Sequence, residues 1–94
     1  MLPSAADVIA AAHRLRGVIE RTPLIRSTAL SDAAGTDVYL KCEHLQRTGS
    51  FKFRGAYNAL ATMSPDARER GVVASSAGNH GLGIALAAQM LRIR

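Results

Sequence analysis

The chain has 94 residues, which suits one small domain or a portion of a larger one, and its hydrophobic content of 48% excludes long disorder. Its single cysteine excludes an internal disulfide, and it has neither a signal peptide nor a membrane-length apolar stretch, so a cytoplasmic setting away from membranes is expected. The net charge is +5, but the ten arginines are scattered and aromatic residues are few, which argues against nucleic acid as a partner.

The first part of the chain is predicted to form two helices. Apolar residues at helical spacing predict a first helix that runs to about Arg16. Ser4 and Asp7, which are three residues apart, are expected to cap its start. A second, short helix is expected to begin at Ser27 or Thr28, because either hydroxyl can cap a helix.

The next elements place a lysine at the start of a helix. The pattern predicts a strand over 36–42, a loop over 43–49 and a helix capped by Ser50. Lys52 falls in the first turn, where the partial positive charge of the helix N-terminus disfavours an ammonium group. An amine in such a field can form a Schiff base with a carbonyl compound. Position alone leaves a second interpretation open, an ordinary solvated surface lysine.

The second half of the chain alternates helix and strand. Ser64 as a cap and Pro65 at the first helical position predict a short charged helix that ends at Gly71. The β-branched run Val72–Ser75 predicts a buried parallel strand, and an apolar helix follows from Leu82 to Leu91. This order indicates an α/β fold with a parallel-type sheet and flanking helices. The last helix is apolar on nearly all sides and needs cover, so we expect residues 1–94 to be the N-terminal portion of a longer domain.

The loop over residues 75–81 consists of small and polar residues. A strand-to-helix turn of this kind points backbone N–H groups and the helix dipole at an anion, such as a phosphate or a carboxylate. The glycines, at 78, 81 and 83, do not follow the dinucleotide-binding spacing G-x-G-x-x-G. Asn79 is either a ligand-binding amide or a simple helix cap, and His80 is either a site residue or a surface residue.

Two motifs at this spacing resemble one family. The first contains Lys41-Cys42-Glu43, Leu45-Gln46 and the run TGSFKFRGA over 48–56, and the second is SAGNHG over 76–81. Arg21–Leu24 also matches the usual lead-in of the family. Together they resemble the fold-type II pyridoxal-phosphate enzymes, whose architecture is tryptophan synthase β-like. Within these enzymes the chain resembles the threonine/serine dehydratases and the related serine racemases most. The resemblance covers the chain from about residue 15 onward.

The resemblance implies a cofactor and a set of site residues. The cofactor is pyridoxal 5'-phosphate, which the catalytic Lys52 would carry as a Schiff base. Phe51 is implied to pack beside the cofactor ring, and Asn79 to hydrogen-bond the ring hydroxyl. The residues implied to receive the substrate carboxylate are Ser76, Ala77, Gly78, Asn79 and His80. No metal site is implied within these residues, and the family's glycine-rich phosphate loop is expected downstream of them.

The implied reaction is the dehydration and deamination of threonine or serine, both small hydroxy-amino acids, to a 2-oxo acid and ammonia. Serine racemases carry a serine where this chain has Ala77, whose methyl group cannot exchange a proton, so elimination is favoured over racemisation. Phe53 replaces the acidic residue that usually follows the lysine in cysteine synthases and threonine synthases. Two alternatives stay open, a racemase of the same family and a non-catalytic, truncated remnant. The full-length enzyme is expected to be a homo-oligomer.

Overall fold

The computed structural model describes all residues from Met1 to Arg94. Its helices and strands are, in chain order, α1 (Ala5–Leu15), β1 (Leu24–Arg26), α2 (Thr28–Ala34), β2 (Tyr39–Lys41), α3 (Lys52–Ala61), α4 (Pro65–Arg70) and α5 (Asn79–Leu91). Two 3-10 turns, Glu43–Leu45 and Arg47–Gly49, fill the loop that precedes α3. None of the helices is both long enough and apolar enough to cross a membrane.

The predicted caps at the starts of α1, α2 and α4 are confirmed. Ser4 Oγ accepts the Asp7 N–H at 3.2 Å, and the Asp7 carboxylate accepts the Ser4 N–H at 2.7 Å, which completes a capping box. Ser27 caps α2 by accepting the N–H of Leu30, and Ser64 caps α4 with a proline at the first helical position. These local signals therefore fix where three of the helices begin.

The sheet consists of β1 and β2, which pair antiparallel with Leu24 opposite Lys41. The sequence predicted a parallel-type sheet in which Val72–Ser75 is a buried strand. That strand prediction was wrong, because the segment forms no strand and Val73 is fully exposed. A β-branched run has the right propensity, but a buried parallel strand also needs neighbouring strands to pair its backbone. Here the segment makes one backbone hydrogen bond, from its first residue to the Arg94 carbonyl at 2.8 Å.

The hydrophobic core lies between α3 and α5. The buried core residues are Phe53, Ala56, Leu60, Ala87 and Ile93. Among the large side chains only Phe53 is fully buried. Gly83 and Ala87 of α5 are buried, whereas Leu82 and Met90 of the same helix are 55% and 40% exposed. This packing presses α5 against α3 and so brings the lysine motif and the 75–81 loop to the same end of the helix pair.

Candidate active site

Lys52 is the first residue of α3, which confirms the prediction that it falls in the first turn of a helix. Its side chain is exposed, and its Nζ lies 5.0 Å from the centroid of the Phe51 ring. No carboxylate forms an ion pair with this amine. Ser50 was expected to cap the helix, but the N-cap position is Phe51, and the Ser50 hydroxyl accepts only a long hydrogen bond, 3.4 Å, from the Lys52 N–H. The lysine amine is therefore free to react.

An ion pair anchors the opposite side of the same helical turn. The Glu43 carboxylate accepts two hydrogen bonds from the Arg54 guanidinium, one of which is 3.0 Å long, and one of 2.6 Å from the Thr22 hydroxyl. The Arg54 hydrogen bond is the main reason why the pKa of Glu43 falls from 4.5 to about 2, against the opposing effect of burial. Glu43 thus stays charged and connects the segment just before β1, the loop and α3.

Gln46 stabilises the loop before α3 through hydrogen bonds of its side chain. Its side chain is buried, and its amide donates to the Glu20 carbonyl at 2.9 Å. Its carbonyl oxygen accepts the N–H of Glu20 at 2.9 Å and that of Arg47 at 3.0 Å. Sequence reasoning placed Glu43, Gln46 and Arg54 in recognisable motifs but gave them no structural role. For Glu43 a signal was available, because a polar side chain next to a buried residue such as Cys42 needs a hydrogen-bond partner.

The predicted loop over residues 75–81 is shorter in the structure, because α5 begins at Asn79 and not at Leu82, so residues 79–81 form the first turn of the helix. Residues Ser76 to His80 are all exposed, and the Ser76 hydroxyl accepts the Gly78 N–H at 3.2 Å. The N–H groups of Asn79 and His80 have no backbone partner, as is usual in the first turn of a helix. The loop therefore offers donors to an anion at the positive end of α5.

A groove of about 300 Å³ lies between the starts of α3 and α5. Its lining residues are Phe51, Lys52, Gly55, Ala56, Ala59, His80 and Ile84. The structure thus brings three of the predicted site residues together in one groove, Phe51, Lys52 and His80. Asn79, Ser76, Ala77 and Gly78 stand at the same helix end but do not line it.

The groove suits the cofactor that the resemblance implies. It is lined mostly by apolar groups and backbone, which accommodate a planar aromatic ring, and it holds one unpaired primary amine, which reacts with an aldehyde. Its size is at the lower end for small-molecule sites. Elsewhere in the chain, no group of three or more His, Cys, Asp or Glu side chains comes close enough to hold a metal ion.

Comparison with known proteins identifies a family for the chain. The family described as "Pyridoxal-phosphate dependent enzyme" matches residues 15–94. An L-threo-3-hydroxyaspartate ammonia-lyase from a Pseudomonas species is 55% identical over 98% of this chain and 29% of its own length. An L-threonine ammonia-lyase from Thermotoga maritima is 54% identical over 93% of this chain and 22% of its own length. The chain therefore spans less than a third of each of these two relatives.

The solved structures include a close match of fold. The crystal structure of serine racemase from Dictyostelium discoideum is 37% identical and superposes with a TM-score of 0.86, over 95% of this chain and 29% of that one. This similarity confirms the α/β fold-type II class that the sequence motifs implied, although the local parallel strand is missing. The family match, the relatives and the fold agree, and the chain belongs to the family of pyridoxal-phosphate-dependent enzymes.

Proposed function

We propose that the protein of which residues 1–94 form part catalyses the pyridoxal-phosphate-dependent elimination of water from a small hydroxy-amino acid, giving a 2-oxo acid and ammonia. The observation that carries the proposal is the Lys52 amine, which has no ion-pair partner and shares one groove with His80 of the 75–81 loop. The ammonia-lyase names of the relatives support the reaction class.

We assign roles to the residues as follows. Lys52 would hold the cofactor through its amine, Phe51 would pack beside the ring, and Asn79 would donate or accept a hydrogen bond at the ring hydroxyl. The exposed turn from Ser76 to His80 binds the substrate carboxylate, because unpaired N–H groups at the start of α5 favour negative charge.

When bound, pyridoxal phosphate supplies an electron-withdrawing ring that stabilises negative charge at the substrate Cα. The Lys52 amine, which the amino group of the substrate would replace on the cofactor, would then act as the general base that takes the proton from this Cα. The donors at the start of α5 would hold the carboxylate and thereby orient the Cα–H bond towards the amine. Loss of this proton and of the β-hydroxyl group together amounts to loss of one water, and the released enamine would take up one water to give the 2-oxo acid and ammonia.

The residue at position 77 favours elimination over racemisation. Racemisation needs a second proton donor on the opposite face of the substrate, and the Ala77 methyl group supplies none. Threonine, serine and 3-hydroxyaspartate all carry the β-hydroxyl group that the reaction requires. A relative named for 3-hydroxyaspartate makes this compound a candidate substrate equal to threonine.

We further propose a cytoplasmic homo-oligomer that acts on free amino acids and binds neither nucleic acid nor membranes. Scattered arginines and a single cysteine support this setting.

The test is ammonia release from a substrate panel in the presence of pyridoxal phosphate. The panel contains L-threonine, L-serine, L-threo-3-hydroxyaspartate and, as a substrate without a β-hydroxyl group, L-alanine. We expect release from one or more of the hydroxy-amino acids, none from L-alanine and none from Lys52→Ala. Formation of the D-isomer without ammonia would point to the racemase, and a protein that gives neither product would fit the non-catalytic remnant.

A further inference from the structure

Gly83 lies where α5 touches the catalytic lysine's own backbone. It is buried, and a Cβ placed on it would stand 3.2 Å from the Lys52 carbonyl carbon and from the Phe53 nitrogen, and 3.3 Å from the Lys52 oxygen. Contacts this short are tighter than ordinary van der Waals contacts. They fall on main-chain atoms, which cannot turn aside as a flexible side chain can.

The choice of residue at position 83 has a physical reason. Glycine is the least favourable residue of a helix interior apart from proline, yet it stands in the second turn of α5. Gly55, in the interior of α3, has open space around its missing side chain, so not every helical glycine in this chain is a packing residue. At Gly83 the missing Cβ is what lets the two helices meet.

The contact between Gly83 and the backbone of Lys52 affects the width of the groove, because Lys52 lines the groove. Lys52 and His80 line the groove from opposite sides, one from the start of α3 and the other from the start of α5. Gly81, in the first turn of α5, packs closely on the preceding loop, since a Cβ placed on it would stand 3.3 Å from the Ser76 carbonyl oxygen. A shift of α5 away from Lys52 would therefore carry His80 and the loop with it.

We propose that Gly83 is a positioning residue that sets the separation between the Lys52 amine and the anion-binding start of α5. This inference rests on the proposed function. Gly83 has no assigned contact with the cofactor or the substrate. It acts only through the distance between α3 and α5.

The experiment compares Gly83→Ala with Ala85→Ser, which adds an atom on the exposed side of the same helix. Each variant is titrated with pyridoxal phosphate, and borohydride then reduces the Schiff base so that the bound cofactor stays attached. Mass spectrometry measures how much cofactor is incorporated at Lys52. We expect Gly83→Ala to raise the half-saturating concentration of pyridoxal phosphate by about tenfold, which is the effect of losing one hydrogen bond such as the one assigned to Asn79 at the start of α5. The thermal midpoint should fall little, because alanine favours the helix. Ala85→Ser should bind as the wild type does.

A second readout needs no cofactor. In NMR spectra of the free protein, Gly83→Ala should move the amide signals of Lys52, Phe53 and His80 more than Ala85→Ser does. Equal shifts in the two variants, or equal half-saturating concentrations, would overturn the inference. So would a Gly83→Ala protein that loses its helical circular dichroism signal, because Gly83 would then be a residue of core stability. If the wild type itself incorporates nothing, the proposed function fails, and the NMR comparison still decides the positioning role.

Discussion

Replacing Glu43 by glutamine tests the network that anchors the turn carrying Lys52. The substitution keeps the shape of the side chain but removes the charge that accepts hydrogen bonds from Arg54 and Thr22. Glu43 and Arg54 are only 14% and 30% exposed, so water can replace little of what is lost. The variant leaves a partly buried guanidinium without its counter-ion.

The magnitude follows from the pKa of Glu43. A fall from 4.5 to about 2 on folding corresponds to about 3 kcal/mol of stability at neutral pH, at about 1.4 kcal/mol per pH unit. Because Arg54 is partly exposed, solvent screening reduces this contribution to stability. We therefore expect Glu43→Gln to lower the free energy of unfolding by about 2 kcal/mol. The folded pKa lies below the unfolded one, so the contribution is complete above about pH 5 and is lost as the pH falls towards 2.

The assay is urea unfolding of wild type and Glu43→Gln at pH 7, 4.5 and 2.5, followed by circular dichroism. The difference in free energy of unfolding should be largest at pH 7 and should shrink steadily towards pH 2.5. Asp37→Asn is the matched control, because the Arg26–Asp37 pair is 2.8 Å long but 43% and 66% exposed and is expected to contribute less than about 1 kcal/mol. A Glu43→Gln variant as stable as Asp37→Asn at pH 7, or a difference that does not change with pH, would refute the reasoning.

Two further predictions concern packing and capping. Phe53→Ala removes the one fully buried large side chain and should lower the free energy of unfolding in urea by about 3–5 kcal/mol. A decrease below about 1 kcal/mol would show that the core lies elsewhere. Ser64→Ala removes the hydroxyl that accepts the Ala67 N–H at 3.3 Å and should cost about 1 kcal/mol in the same assay. The control is Ser75→Ala, because Ser75 is exposed and lies outside the helices.

The parts of the fold that depend on near neighbours in sequence were predictable. Ser4, Ser27 and Ser64 each cap a helix with an N–H three residues away, so a short window of sequence contains the whole interaction. Lys52 at the first turn of α3 belongs to the same class, because the loop and the helix that place it are adjacent in the chain. The strand over 36–42 was predicted too long and is reduced to Tyr39–Lys41.

The parts that depend on distant partners were not predictable. Val72–Ser75 has the composition of a buried strand, but its state is decided by which strands lie beside it, and local sequence does not contain that information. Likewise the groove at Lys52 exists because Gly83, 31 positions further on, allows α5 to approach. The family motifs named the site residues, but only the packing of α3 on α5 showed that Lys52 and His80 share one groove.

The most direct test of the central claim is to locate the covalent attachment of pyridoxal phosphate. The chain has only two lysines, Lys52 and Lys41, and the Lys41 amine donates a 2.7 Å hydrogen bond to the Thr22 carbonyl. After borohydride reduction and proteolysis, mass spectrometry should find the cofactor on Lys52, undiminished in Lys41→Arg and absent in Lys52→Arg. Cofactor found on Lys41 or on the N-terminal amine, with Lys52 unmodified, would contradict the account.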